Sequence, residues 1–266
     1  MNNQKKSTAY GFSLLEMIGV LAIMGILAGA LAPNIFQAID EAYATAEEQN
    51  LAALEDALRN YVTTTKRIPS ATQTDWTVAL SEASSMALTR VTNNQRNFAR
   101  RLYFDPRFLT PSDTNFSGFT QVQGLTTSPV SPRVMIVSDL KANLPNPPTT
   151  SSAFNAIWDQ TGTPTVIESK MLKIQRVNMK DYFHRIILSN QNTNASAYSI
   201  EAGSQSSVPG ASSGLDGVVT RYLLTGSKIN LHMDTFPSGA IERSFILREQ
   251  SSLRYQTDGS IWSWSS

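Results

Sequence analysis

Between Phe12 and Ala32 the chain runs for about 21 residues with Glu16 as its only charge. At about 1.5 Å of rise per residue such a segment makes a helix roughly 32 Å long, enough to span the hydrocarbon core of a bilayer. The segment therefore predicts a transmembrane helix. Lys5, Lys6 and the free amine precede it, and the tendency of positive charge to stay inside holds that end in the cytoplasm and sends the remainder outward. A secretory signal peptide shares the basic start and the apolar stretch, and the small residues Ala28 to Ala32 suit its cleavage site. That reading leaves Glu16 without a reason. A carboxylate near the middle of a membrane helix costs about 2.5–3.5 kcal/mol on insertion scales, and less towards an end, so it marks a functional position by default.

The order Gly11, Phe12, Ser13, Leu14, Leu15, Glu16, a long apolar run and then Pro33 resembles the class III signal of type IV pilins and type II secretion pseudopilins. The resemblance covers about the first 50 residues. It implies that a prepilin peptidase cuts between Gly11 and Phe12 on the cytoplasmic side and that Phe12 becomes the N-methylated terminus. It further implies other pilin or pseudopilin subunits, an inner-membrane assembly platform and inner-membrane lipid as partners. The chain would cross the inner membrane once and later stand in a filament or at the cell surface. In such a chain Glu16 lies one helical turn from the new amine of Phe12, and each charge offsets much of the other's desolvation, within one subunit or between neighbours. Glu16 then acts as a register device between helices. Gly25 and Gly29 form a G-x-x-x-G, with Ala22 and Ala28 nearby, which lets membrane helices approach closely; glycine and alanine are also common in such helices without that role. Pro33 lacks a backbone donor and marks either a kink or the helix end.

Beyond Pro33, Ile35, Ile39, Tyr43, Ala46, Leu51, Leu54, Leu58 and Tyr61 recur at mostly three- or four-residue steps. Asp40, Glu47, Glu48, Asp56 and Arg59 fall largely away from them. This pattern predicts an amphipathic continuation to about Thr65 that covers a globular domain, with Pro69 as a stop. Asp75 is expected to cap a short helix carrying Trp76, Leu80, Ala83 and Ala87 on one face, and Phe98–Tyr103 to add a further turn or two. Asp105–Arg133, Lys141–Ser152 and Ala202–Gly217 read as loops. Strands are expected over 134–137, 171–177, 182–188, 197–202, 218–224, 229–233 and 245–247. Thr225–Ser227 reads as a hairpin turn, and Asp258-Gly259 joins Leu253–Gln256 to Ile261–Trp264. One long helix on an antiparallel β-sheet is an α+β roll, the pilin-like fold that the resemblance also implies. The expected parts are a leader over 1–11, a membrane and assembly helix over 12–33, its amphipathic continuation over 34–66 and a globular α+β domain over 67–266.

The chemistry points to a scaffold. There is no cysteine, which excludes disulfides, thiol catalysis and cysteine-bound zinc. The net charge is +1, with Lys5 and Lys6 among its basic residues, so nucleic acid is not expected as a partner. His184 and His232 have no second ligand or nucleophile readable beside them and take structural roles, and Asp258-Gly259 is turn chemistry rather than a calcium site. Trp262 and Trp264 share a strand face and suit core packing or subunit contact, with sugar binding as the alternative. No enzyme activity, cofactor or metal is expected. The reading is a minor pilin or pseudopilin. Its alternatives are a pilin-like stem displaying an adhesin-like or DNA-contacting head, which a basic patch or aromatic cleft in the second half would favour, and a signal-anchored envelope protein.

Overall fold

The computed structural model describes residues 14–70, 72–108, 124–235, 239–248, 253–257 and 262–264. The predicted cleavage pair Gly11 and Phe12, the Asp258-Gly259 turn and residues 109–123 of the predicted loop lie outside them.

The apolar segment and its amphipathic continuation form one helix, α1, Leu14–Thr65, with Pro33 inside it. Of the two sequence readings of Pro33, the helix end is therefore excluded. The missing donor and the crowding fall on the turn that holds Gly29, where no side chain adds to the conflict. Further along, Ala44, Glu47, Leu51, Leu54, Leu58 and Val62 are buried at three- and four-residue steps, the face of a 3.6-residue period. Ile35 and Ile39, assigned to that stripe from sequence, remain 56% and 42% exposed. The head takes hold of the helix only from about Tyr43.

That face rests on a first antiparallel sheet in the order β1 (Arg101–Phe104), β2 (Arg133–Asp139), β3 (Leu172–Asn178). Helix α2, Gln73–Ser84, packs beside α1 and leads into the short α3, Leu88–Thr92. β2 shows why a short run could read as buried on both sides: Val134 and Ile136 enter the core under α1 and α2, while Met135 and Val137 enter a second core, as a period of two requires. The second core is capped by α4, Ser151–Asp159, through Phe154 and Ile157. Thr150 holds the start of α4 by accepting from Ala153 N, an N-cap at the edge of a stretch whose serines and prolines read as loop.

A second sheet runs β11 (Trp262–Trp264), β10 (Leu253–Thr257), β4 (Phe183–Asn190), β7 (Gly217–Leu224), with β10 parallel to β4 and the other pairs antiparallel. A third runs β6 (Ser206–Val208), β5 (Ser196–Ile200), β8 (Lys228–Thr235), β9 (Ile241–Ile246). Ile186, Leu188 and Leu223 from the second sheet meet Tyr198, Ile200 and Leu231 from the third in a core of their own. The α+β class stands, with the strands divided among three sheets and α1 packed on one of them.

Three local expectations are corrected. Residues 98–103 are not helical: Arg101–Phe104 is strand β1, with Leu102 and Phe104 in one core and Tyr103 in the other, so alternation prevails. The N-cap of α2 is Thr72, and Asp75 sits in its first turn, where its charge suits the positive end of the helix dipole. β7 and β8 flank the tight turn at Thr225–Ser227 but do not pair with each other. Ser227 N donates to Leu224 O and Gly226 N to Leu247 O, so this turn passes the chain from the second sheet to the third.

Glu47, which the sequence pattern left off the apolar stripe, is fully buried beside Leu51 and Leu54. Arg100, also buried, donates through Nε at 2.6 Å and Nη2 at 2.7 Å to its two carboxylate oxygens. Nη1 donates to the carbonyls of Arg90, Val91 and Asn93. Each charge is met, which is the condition under which a buried pair persists. Arg100→Met leaves Glu47 charged and unpaired in the core and is expected to cost about 3–5 kcal/mol, whereas Glu47→Leu with Arg100→Met should restore much of it. Urea unfolding of the two variants checks this; a loss under about 1 kcal/mol in the single variant would contradict it.

Candidate functional site

From Leu14 to Ile39 nearly every residue of α1 is exposed, including Leu14, Leu15, Ile18, Leu21, Ile26, Leu31 and Phe36. Mean hydropathy over its best 18-residue window is 2.3, with none of that window buried. At about 1.5 Å per residue the bare stretch reaches roughly 39 Å from the head. Water does not tolerate such a surface on its own, so lipid or another apolar helix is the medium it suits. Glu16 lies in the first turn of α1, where a carboxylate also favours the helix dipole. Gly25 and Gly29 share a side of the stem, and a Cβ at either meets nothing within 4 Å. Neither glycine is demanded by the chain's own packing. The structure therefore brings Glu16, Gly25, Gly29 and Pro33 onto one helix, with Gly11 and Phe12 outside the described residues.

The head grips the lower part of this helix largely through acids on the helix and cations on the head. Asp40 pairs with Arg96, whose guanidinium also lies 4.9 Å over the Tyr43 ring. Glu41 accepts from Lys170 at 2.6 Å and Glu48 from Lys173 at 2.5 Å. Glu55 accepts from Arg59 and Gln175, and Arg59 Nη1 donates to the Tyr182 hydroxyl at 2.9 Å. The exposed pairs contribute about 0–1 kcal/mol each, so their effect is to fix the angle of the helix against the head around the buried Glu47–Arg100 pair. Sequence reasoning missed the pairs of Asp40, Glu41 and Glu48 because their cations lie far along the chain from these carboxylates.

A groove of about 730 Å³ opens elsewhere on the head, lined by residues of the first two sheets, α4 and the connections beside them, among them Arg107, Arg133, Asn155, Lys180, Arg185 and Tyr222. Asp105, which pairs with Arg107 and Arg133 of this lining, is buried. Burial alone would raise the carboxyl pKa, but side-chain and backbone hydrogen bonds from Arg107 and side-chain bonds from Arg133 outweigh it and hold the group below the usual carboxylate range. Both histidines are hydrogen-bonded within the head, and His184 also lines the groove. His232 is held by Ser199 Oγ at 2.9 Å and Gly239 O at 3.0 Å. His184 Nε2 meets Thr225 Oγ1 at 2.8 Å, and burial lowers its pKa. Among the described residues no group of three His, Cys, Asp or Glu side chains is placed to hold a metal ion.

Residues 6–32 match the family of the prokaryotic N-terminal methylation motif. The chain is 43% identical over 54 residues to prepilin peptidase-dependent protein A of Clostridium perfringens, covering 20% of this chain and 39% of that protein. It is 36% identical over 69 residues to type II secretion system core protein G of Klebsiella michiganensis, covering 26% and 49%. The Escherichia coli core protein G is 30% identical over 96 residues, covering 36% and 65%. The matches thus span less than two thirds of each of these relatives. No solved structure matches significantly. The N-terminus is of prepilin type, and the chain is similar to pilin-class and pseudopilin proteins through part of its length.

Two outcomes follow from the geometry. Gly25→Leu touches no neighbour, so the unfolding free energy of the head should stay within about 0.5 kcal/mol of the parent chain, measured by urea titration in detergent; a larger loss would mean that the stem packs on the head. Burial disfavours the charged form of His184 in the folded state, so the unfolded state binds more protons as pH falls below about 6.5. Stability is fully present above that pH and declines below it, while Asp105, whose pKa is lowered, loses its contribution only in more acid solution. The urea midpoint should fall between pH 7.5 and 5.5, and His184→Gln should flatten that fall.

Proposed function

We propose that the chain is a minor pilin or pseudopilin, a structural subunit of a type IV pilus or type II secretion-like filament. One coincidence carries the reading: the methylation motif spans residues 6–32, and over the described part of that stretch α1 is exposed and apolar. A prepilin peptidase removes residues 1–11, and methylated Phe12 becomes the first residue. The remaining parts are the membrane and assembly helix over 12–33, its continuation over 34–66 and the extracytoplasmic domain over 67–266. Before assembly the helix stands in the inner membrane, with its N-terminus on the cytoplasmic side. It then moves into a filament through the assembly platform and other subunits.

In this reading Glu16 neutralises the amine of Phe12, its own or a neighbour's, and so selects one axial stagger among packed helices. Gly25 and Gly29 permit close approach between helices, which fits the empty space around both. Pro33 lets the helix adjust where it leaves the packed segment. A head of three sheets is bulky for a copy repeated along a filament. A tip or a sparse position suits it better, with a role in initiating or capping assembly. A pilin-like stem displaying a binding head is the second reading, and the basic groove on the head is the observation that favours it.

Intact-mass measurement of membrane-extracted protein should give a chain that begins at N-methylated Phe12; a terminus near Ala32, or retained Met1 in cells with an active peptidase, would overturn the processing step. Glu16→Ala should leave membrane insertion intact while lowering recovery in sheared filaments. Normal incorporation of that variant would remove Glu16 from the assembly role. Quantitative mass spectrometry of filaments decides between minor and major subunit, and finding this chain as the most abundant component would reverse that part of the reading.

A further inference from the structure

We propose that the groove between the first two sheets is a binding site for a carboxylate-bearing ligand, independent of the stem and of its role in assembly. Two guanidiniums are built into its wall. Arg107 donates to Asp105 through Nε at 3.1 Å and Nη2 at 2.9 Å, and through Nη2 to Asn155 Oδ1 at 3.1 Å. Arg133 donates to Asp105 through Nε at 3.1 Å and Nη2 at 2.5 Å, and through Nη2 to Asn155. Arg133 is further held with its guanidinium 5.4 Å from the Phe154 ring and 5.0 Å from the Trp158 ring. In both arginines the Nε edge and Nη2 are engaged, while Nη1 donates to no described residue.

Two cations share one carboxylate, so the cluster keeps an excess positive charge and a pair of immobilised, unused donor groups. Holding guanidiniums in place before a ligand arrives removes much of the ordering cost of binding, and a planar donor is suited to carboxylate. The outer strand face extends the cationic character. Arg185 and Tyr222 are register partners on β4 and β7 and stand together in the groove, and Lys180 at its rim is exposed. Neither Arg185 nor Lys180 pairs with an acid among the described residues. Asp159 and Asp181 also line the groove. They oppose a run of phosphates such as a nucleic-acid backbone, and select a single carboxylate on a body that can hydrogen-bond to Asn155 and offer a face to Tyr222.

The shared chemistry can come from an acidic sugar or from an acidic amino-acid residue, and the test separates them. The full chain in detergent is titrated with D-glucuronate, N-acetylglutamate and D-glucose, with heat or backbone NMR shifts as readout. At least one carboxylate should bind and glucose should not. The glucuronate and N-acetylglutamate arms identify the source. Arg107→Lys keeps a cation on Asp105 but loses the fork, and should weaken binding about tenfold, as one charge-assisted hydrogen bond implies. Arg185→Gln lies on an exposed position and should also weaken binding with the fold unchanged. Failure of both carboxylates to bind, equal binding of glucose, or unchanged affinity in both variants overturns the proposal. None of these results bears on processing at Phe12 or on entry into a filament, so failure here is distinct from failure of the subunit reading.

Discussion

The buried pair of Glu47 and Arg100 sets the frame of the molecule. Arg100 is the residue before β1 and gathers three carbonyls from α3 and the turn after it. Its charge therefore ties together α1, the short α3 and the first strand of the first sheet. An apolar contact in the same place could slide by a fraction of a turn along α1; a bidentate pair cannot slide without leaving a charge exposed to a low-dielectric core. The energy of forming such a pair from solvent is small or unfavourable, so its value here is geometric. The weak outer pairs from Asp40 to Glu55 then hold an angle that the central pair has already chosen.

Around that frame the head has two storeys with different jobs. The first sheet is covered by α1 and α2 on one face and by α4 on the other, and carries the stem. The second and third sheets bury their faces against each other and reach the stem through Leu224 and Phe183, which join the core under α1, and through the turn at Gly226, whose would-be Cβ lies 2.5 Å from Lys66 Nζ. Lys66 Nζ ends a flexible side chain that can move aside, so it is the φ of +81° that explains why the turn has glycine there. The cationic groove sits where the two storeys meet, the usual place for a cleft when two cores are packed separately.

The stem was legible in the sequence because its signal is local. Twenty-odd apolar residues, one acid and a proline stand in order, and helix periodicity named Leu51, Leu54 and Leu58 of the buried face. Most strands were legible for the same reason, through runs such as Val134–Val137 and Ile229–Met233. What stayed hidden depends on partners far along the chain. Glu47 looks like a solvated acid until Arg100 is known to reach it. The Thr225–Ser227 turn has hairpin chemistry, yet whether its flanking strands pair with each other or with β4 and β5 is decided by burial on the inner faces of two sheets. The arginines of the groove carry no spacing signal at all: Arg107 and Arg133 converge only because Asp105 is carried into the core at the end of β1.

The parallel pairing of β10 with β4 has a consequence for the order in which the head can form. Leu253 lies beside Ile186, and β5 to β9 are made between them. As the chain emerges N-terminus first, β4 can find β7 early, but its other edge stays open until residues 253–257 arrive. An open edge with Ile186 and Leu188 behind it is a template for any extended segment that meets it, including the same strand of another copy. For a chain without disulfides to secure partial structures, the interval between making β4 and delivering β10 is the period of greatest exposure to misassembly. It lengthens with every residue added to the loops between them.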